Sequence, residues 1–386
     1  MTQLISVIAN MHNGVGHHIP YHKSVGVAAE LNGWEHFAVY SKEEMIQDPP
    51  KKWLPCLSKK GLYVHLGKHF LWLPLKFTLK MYGIINFTFL FKSLINGLRI
   101  RNEAIIFFDD PAPAHIMSIF FSILSLKKKN INIWIMFRTP VYEKFLRLYL
   151  YKATLFASKK ILGNKKVAVL TDSEELRSGL CKYFASEIIV MPIPHIGNMK
   201  EESKENEIFG IKNASDEILC WWPGSPRAEK GFKHILALIA EDRAYKNKFR
   251  LLVSETLNLK SLCKSIPVTF IPDSLVRKDY EALMKRVDIV LLPYDPNQYS
   301  ERTSGIFVEA IAHGALPIVT KNTWMAKELD KFNLNFLKVE WDSPNLGLKI
   351  DCILSNNNNE LTRKMRNFYN LNHGEQAYAR VMKEIL

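Results

Sequence analysis

Short apolar runs punctuate the chain at regular intervals. In the first half they are LISVIAN (4–10), EHFAVYS (35–41), AIIFFDD (104–110), INIWIMF (131–137), KVAVLTDS (166–173) and SEIIVMPIP (186–194). In the second half they are EILCWWPG (217–224), FRLLVSE (249–255), VTFIPD (268–273), VDIVLLPYD (287–295) and ALPIVT (315–320). Successive rather than alternate positions are apolar, so both faces of each run are buried, as in parallel strands covered by helices on both sides. The intervening stretches are long enough for crossover helices. The pattern predicts an α/β protein with two doubly wound, Rossmann-like domains facing a cleft.

Between the two sets of strands, PIPHIGNMKEESKENEIFGIKNASDE (192–217) opens with prolines and continues as polar, charge-rich sequence. It reads as a linker and puts the domain boundary near residue 196. A length of 386 residues also fits two domains rather than one core. The expected division is therefore 1–196 and 197–364, with a helical stretch at 365–386. The short NNNN at 356–359 reads as a loop.

Composition narrows the class. Apolar content of 47% and charged content of 23% are those of a globular protein. The five cysteines, Cys56, Cys181, Cys220, Cys263 and Cys352, are scattered and form no metal-ligand spacing, which argues against disulfides and zinc and for a reducing compartment. The N-terminus lacks the basic and apolar regions of a signal peptide, so residence in the cytoplasm is expected. The most apolar region, FLWLPLKFTLKMYGIINFTFLFKSL, is interrupted by Lys76, Lys80 and Lys92, and spanning a bilayer needs about 20 predominantly apolar residues. A net charge of +14 calls for an anionic partner: nucleic acid, a lipid surface or a phosphorylated substrate.

In open α/β sheets, ligands bind beyond the carboxyl ends of the strands, so the loops after the strands carry the candidate chemistry. After EILCWW comes PGSPRAEKGF, in which Gly224 permits a tight turn and Arg227 and Lys230 approach the next helix. Two cations beside a helix N-terminus invite an anion such as phosphate; a solvated loop balanced by Glu229 is the alternative. After VDIVLLPYD comes SERTSGIFVEAIAHG, in which Thr303, Ser304 and Gly305 lead into a helix and offer backbone amides. Glu301 and Glu309 bracket that turn, and carboxylates hold vicinal hydroxyls such as those of ribose.

Glu301 and Glu309, with seven residues between them, followed by AIAHGALPIV and preceded by GSPRAEKGF, resemble the E-x7-E and phosphate-loop signatures of retaining, nucleotide-sugar-dependent glycosyltransferases of GT-B fold, especially family 4. The resemblance is sharp from about residue 218 to 320. It implies that Glu309 binds the ribose, that Glu301 contacts the donor sugar and that Arg227 and Lys230 hold the diphosphate, aided by the amides of Ser304 and Gly305. Pro272 and Leu275, in FIPDSL, would lie against the base. The terminal helix would pack back on the first domain. Catalysis would rest on positive charge at the departing diphosphate, with no cofactor and no metal.

In the first domain, ANMHNGVGHHIPY offers Gly14, Gly16 and His17, or His18 beside it, to a phosphate or acceptor. In WIMFRTP, Arg138 stands where the family commonly has a histidine; it cannot accept a proton but can stabilise a leaving phosphate or orient an anionic acceptor. Asp110 and His115, with Asp109, in FFDDPAPAH, are acceptor-side candidates, a capping aspartate being the alternative.

From Lys51 to Asn102 the chain holds ten Lys or Arg and no Asp or Glu, interleaved with aromatic residues from Trp53 to Phe91. That mixture suits an anionic membrane surface; aromatic core with a solvated lysine rim is the alternative. The family often extends lipid-linked glycans, so a peripheral position on the cytoplasmic membrane face, in polysaccharide or lipopolysaccharide assembly, is the expectation. A nucleic-acid-binding protein lacks any recognisable motif. A sugar-nucleotide epimerase of the same fold lacks identifiable acid/base residues, and a phosphorylase would want a much longer chain.

Overall fold

The computed structural model describes residues 1–8, 18–44, 46, 49–58, 73–97, 103–126, 130–143, 145–184, 186–196, 207–208, 211–212, 217–241, 249–257, 266–343, 345–355 and 359–386. The chain forms two compact units, one of Met1–Pro194 together with Glu375–Leu386, the other of His195–Gly374.

The first unit runs β1 (Gln3–Ile8), α1 (His18–Leu31), β2 (Glu35–Ser41), β3 (Trp53–Leu57), α2 (Leu73–Gly97), β4 (Ala104–Asp109), α3 (Pro113–Leu126), β5 (Ile131–Phe137), α4 (Phe145–Leu162), β6 (Val167–Thr171), α5 (Glu174–Cys181) and β7 (Ile188–Val190). Its sheet is parallel throughout, in the order β3-β2-β1-β4-β5-β6-β7. Alternate residues of each strand serve opposite faces. Ile5, Val7, Ile106 and Phe108 pack under α2, α3, α4 and α5. Leu4, Ile105, Phe107 and Met136 pack under α1 on the other face. β3 escaped the sequence reading because Pro55 interrupts it. Proline is tolerated there because β3 is an edge strand, where a missing donor breaks no ladder bond on the open side.

The second unit opens with a two-residue antiparallel pair, β8 (Glu207–Ile208) and β9 (Ile211–Lys212). It continues as β10 (Ile218–Trp221), α6 (Phe232–Ala240), β11 (Phe249–Ser254), β12 (Val268–Ile271), α7 (Arg277–Met284), β13 (Ile289–Leu292), α8 (Pro296–Tyr299), α9 (Gly305–His313), β14 (Leu316–Thr320), α10 (Trp324–Asp330), β15 (Lys338–Val339), α11 (Leu346–Ser355) and α12 (Asn359–Asn372). Its parallel sheet has the order β12-β11-β10-β13-β14-β15. The last helix, α13 (Glu375–Ile385), returns to the first unit.

The first crossing falls beside the expected 196, and the return lies ten residues beyond the expected 365. The first lies between Pro194 and His195, and the return begins at Glu375 because α12 belongs to the second unit. There Arg366 Nε donates to the Ala312 carbonyl at 3.1 Å and the Tyr369 hydroxyl donates to Glu328 at 2.8 Å. α13 instead packs on α1: the Tyr378 and Tyr21 hydroxyls lie 2.9 Å apart and Asn32 Nδ2 donates to the Ala379 carbonyl at 2.7 Å. Among the described residues, no helix is long and apolar enough to cross a membrane, and the four described cysteines are free.

Candidate active site

Each sheet reverses its strand order once, between β1 and β4 in the first unit and between β10 and β13 in the second. Crevices for ligands form at the carboxyl ends of the strands at such points. In the second unit the two flanking loops are residues 222–231 and 293–304, the same loops that carry the sequence candidates.

Those loops are bound to each other. The Asp295 amide donates to the Glu229 carbonyl at 2.9 Å, and Trp222 Nε1 donates to the Lys230 carbonyl at 3.2 Å. Gly231 has φ +71°, and a Cβ there would lie 1.9 Å from the Pro293 carbonyl oxygen, so only glycine lets the loops close. Gly224 needs glycine for its backbone, φ +86°; a Cβ there would meet only the mobile end of Lys230, 3.0 Å from Nζ. The Lys230 ammonium is therefore wrapped by its own loop and lies 6.0 Å from the Tyr294 ring centroid. Burial, with Arg227 and Arg302 nearby, pushes its pKa down to about 8, against the pull of Glu229.

Arg227 is exposed and paired with Glu229 at 3.2 Å. Arg302 stacks 5.2 Å over the Tyr299 ring, and Tyr299 in turn lies 4.5 Å from Tyr294. Among the described residues, no carboxylate forms an ion pair with Lys230 or Arg302. Lys230 and Arg302 thus lie near each other, neither of them in an ion pair among the described residues, with Glu229 close enough to act on Lys230 while pairing with Arg227. Arg302 was missed in the sequence, although it stands between Glu301 and Thr303.

The start of α9 adjoins this group. Ser304 is its N-cap: the hydroxyl accepts from the Phe307 amide at 3.3 Å and also bonds with Tyr294. The first amides of the helix, including that of Gly305, have no intrahelical acceptor. Gly305 itself lies under His195, whose Nε2 would be 3.1 Å from a Cβ at that position. Thr303 is half-buried just before the cap, and Glu301 is half-buried in the loop after α8.

Glu309, the expected ribose-binding residue, already has two partners. It is buried on α9 because α7 packs alongside: Arg277 Nη1 donates to Oε1 at 2.7 Å and the Tyr280 hydroxyl donates to Oε2 at 2.6 Å. Burial raises its pKa, opposed by Arg277 and by the two hydrogen bonds. Each carboxylate oxygen retains a further lone pair. Arg277 also donates to the His195 carbonyl at 3.3 Å, joining α9 to the segment where the chain enters this unit. Neither Arg277 nor Tyr280 was singled out in the sequence; their i,i+3 spacing at a helix start was the available signal. Pro272 is exposed and Leu275 half-buried in the turn after β12, which is fixed by Thr256 donating to Asp273 at 2.9 Å.

In the first unit, Arg138 follows β5 and is already neutralised. Nε donates to Asp109 Oδ1 at 2.7 Å, Nη1 donates to Asp172 Oδ2 at 2.6 Å, and the guanidinium lies 4.1 Å over the Tyr21 ring. Its charge is thus shared with two buried aspartates, Asp109 at the end of β4 and Asp172 just after β6. Burial works to raise the Asp109 pKa, but Arg138 and the histidines hold it well below the usual carboxylate range.

His22 Nε2 lies 3.1 Å and His18 Nδ1 3.5 Å from Asp109 Oδ2. Together these three residues bring ligand atoms within 4.8 Å of one another, a donor set that no sequence spacing revealed. Asp110 adopts φ +43° and its carboxylate accepts from the Arg138 amide at 3.3 Å, which makes it a turn-fixing group. His115 is buried against Phe87, its Nδ1 accepting from the Ala112 amide at 3.2 Å, which closes the turn into α3. Gly14, Gly16 and His17 lie outside the described residues.

Two hollows of about 250 and 360 Å³ flank Gly314 in the second unit. They sit at the amino ends of β10, β13 and β14, beside Ile218, Asp288 and Leu316, opposite the loops described above. Because ligands of such sheets bind at the carboxyl ends, the loops rather than these hollows define the site.

Both units and their parallel sheets are those of the GT-B glycosyltransferase fold. No protein-family model matches the sequence, and no curated protein matches it. Solved structures do. The chain is similar to the N-terminal domain of a Candida albicans trehalose-6-phosphate phosphatase, with TM-score 0.67 and 13% identity over 100% of this chain and 96% of that one. It is similar to a glycosyltransferase from Rickettsia africae ESF-5, with TM-score 0.63 and 14% identity over 99% and 97% of the two chains. A trehalose-6-phosphate structure from E. coli bound with UDP-2-fluoro glucose is similar at TM-score 0.60 and 13% identity, over 99% and 98%.

Proposed function

We propose that the protein is a glycosyltransferase that moves a sugar from a nucleoside-diphosphate donor to a glycan or lipid-linked glycan. The observation that carries this reading is the pair of cations, Lys230 and Arg302, neither of them in an ion pair among the described residues, beside the amides that begin α9. A diphosphate placed there meets Lys230, Arg227, Arg302 and the amides of Ser304 and Gly305, in the loop set where the fold receives ligands. Glu309, its orientation fixed by Arg277 and Tyr280, offers its remaining lone pairs to the ribose, and Glu301 reaches the donor sugar. Pro272 and Leu275 border the base.

In the reaction the bond from the sugar's anomeric carbon to the diphosphate oxygen breaks as the acceptor oxygen attacks. Attack from the face of departure retains configuration, and the acceptor proton passes to the departing phosphate. Negative charge grows on the diphosphate, so the cations contribute most in the transition state. Arg138, already paired, positions the acceptor side and carries no charge to the leaving group. The enzyme works at the cytoplasmic membrane face in cell-surface polysaccharide or lipopolysaccharide assembly.

The test is a thermal-shift screen against UDP- and GDP-sugars, followed by incubation with the labelled donor that binds. Slow release of free nucleotide, undiminished in excess chelator, is expected. An epimerised sugar, or turnover abolished by chelator and restored by magnesium, overturns the reading.

Lys230 gives the site a pH signature. Its folded pKa is depressed, so the unliganded protein gains stability as pH rises from about 8 toward 10.5, where only the unfolded chain still binds the proton. Donor affinity runs the other way, falling above about pH 8 as the cation is lost. Lys230→Met is expected to abolish both trends, as read by unfolding and donor titrations across that range.

A further inference from the structure

We propose that helices α2, α3 and α4 form the face on which the protein lies against an anionic lipid bilayer. The inference rests on the preceding reading for the choice of a membrane partner, while the contact itself needs no transfer chemistry.

The three helices cover one face of the first sheet side by side, with α3 touching both α2 and α4. Their inner residues fill the core, among them Phe87 and Phe91 of α2, so the aromatics there do not all face out, nor does Trp53 of β3. Their outer residues are unusual. Tyr82, Ile85 and Phe89 form an exposed i, i+3, i+7 stripe on α2, Phe89 being 70% exposed. On α4, Phe145 is 83%, Leu146 72% and Phe156 70% exposed, with Tyr149 between them. Phe120 and Phe121 of α3 emerge between the two stripes. Large aromatic residues gathered on one surface mark an interaction site.

The charge on the same helices is of one sign. α2 carries three lysines, α4 carries an arginine and three lysines, and none of the three helices contains an Asp or Glu. Lys152 and Lys160 of α4 lie exposed along the line that runs through Phe145, Tyr149 and Phe156. Rings that enter the interface and lysines that reach phosphate headgroups are the two elements of peripheral membrane binding. A second copy of the chain is a poorer occupant, because a twofold contact sets each basic stripe against its own like.

The basic segment at 51–102 contributes through α2, whereas Lys52 is engaged by Glu35 at 3.0 Å; Lys59, Lys60, Tyr63, Phe70 and Trp72 lie outside the described residues.

Flotation of the full-length protein with phosphatidylcholine vesicles, with and without phosphatidylglycerol and in the absence of any sugar donor, tests the proposal. Binding only to the anionic vesicles is expected, weakened by salt. A variant with Phe145→Ser, Tyr149→Ser and Phe156→Ser, and a separate variant with Lys152→Glu and Lys160→Glu, should each bind roughly tenfold less or weaker still. Both should keep the unfolding temperature and the nucleotide-sugar response of the parent, which separates failure of this surface from failure of the proposed activity. Unchanged flotation of either variant overturns the assignment. So does a dimer, seen by sedimentation without lipid, that the same substitutions dissociate.

Discussion

Replacing Arg138 with methionine is expected to cost about 3–5 kcal/mol of stability, the usual consequence of leaving buried carboxylates without their cation. Asp109 and Asp172 are both buried and both held by this one guanidinium. The sign of the pH dependence makes the test specific. In the parent protein Arg138 depresses the Asp109 pKa, so that carboxylate contributes stability above its unfolded pKa and loses it as pH falls through the acid range. Without the guanidinium, burial dominates and pushes the folded pKa up, so the variant loses stability as pH rises from the acid range. Urea unfolding from neutral to acid pH reads both slopes, and parallel slopes for parent and variant would show that Arg138 does not compensate these aspartates. Lysine at this position should recover only part of the loss, since one ammonium cannot bridge two carboxylates as a guanidinium does.

Gly231→Ala is expected to be the most damaging single methyl in the second unit. The new Cβ would sit 1.9 Å from the Pro293 carbonyl oxygen, and φ +71° is itself unfavourable to alanine, so a loss of more than about 3 kcal/mol is anticipated, or separation of the two loops to avoid it. Separation would move Lys230, whose carbonyl and amide flank the same turn, and donor binding should disappear with the clash. Gly33→Ala is the control. It has nearly the same φ, +70°, but open space around the site, so its cost should stay near about 1 kcal/mol with donor binding intact. Equal losses at the two positions would mean that backbone conformation rather than loop contact explains Gly231.

How far the sequence could be read depended on the range of the interactions. Runs such as IVLL and AIIFFD declare buried parallel strands by composition alone, because burial on both faces is a local demand on each residue. The loops after β10 and β13 were legible for the same reason: glycines, cations and a capping serine act within a few positions of themselves. Groups that act across elements were not. Arg277 and Tyr280 meet Glu309 from a separate helix, 32 and 29 positions away. His22, Arg138 and Asp172 converge on or beside Asp109 from three different elements. No spacing rule connects residues that only the sheet order makes neighbours. This is why the sequence showed neither the partners of Glu309 nor those of Arg138.

The return of α13 has a consequence for how the polypeptide matures. Tyr21, Val25 and Ala28 pack with Tyr378, Ala379 and Met382, which follow the entire second unit in sequence. The half that leaves the ribosome first is therefore completed last. Until the tail arrives, one apolar flank of the nascent sheet lacks its lid, and a fragment cut at the natural border after Pro194 would inherit the same exposed flank permanently unless the missing helix were supplied in trans.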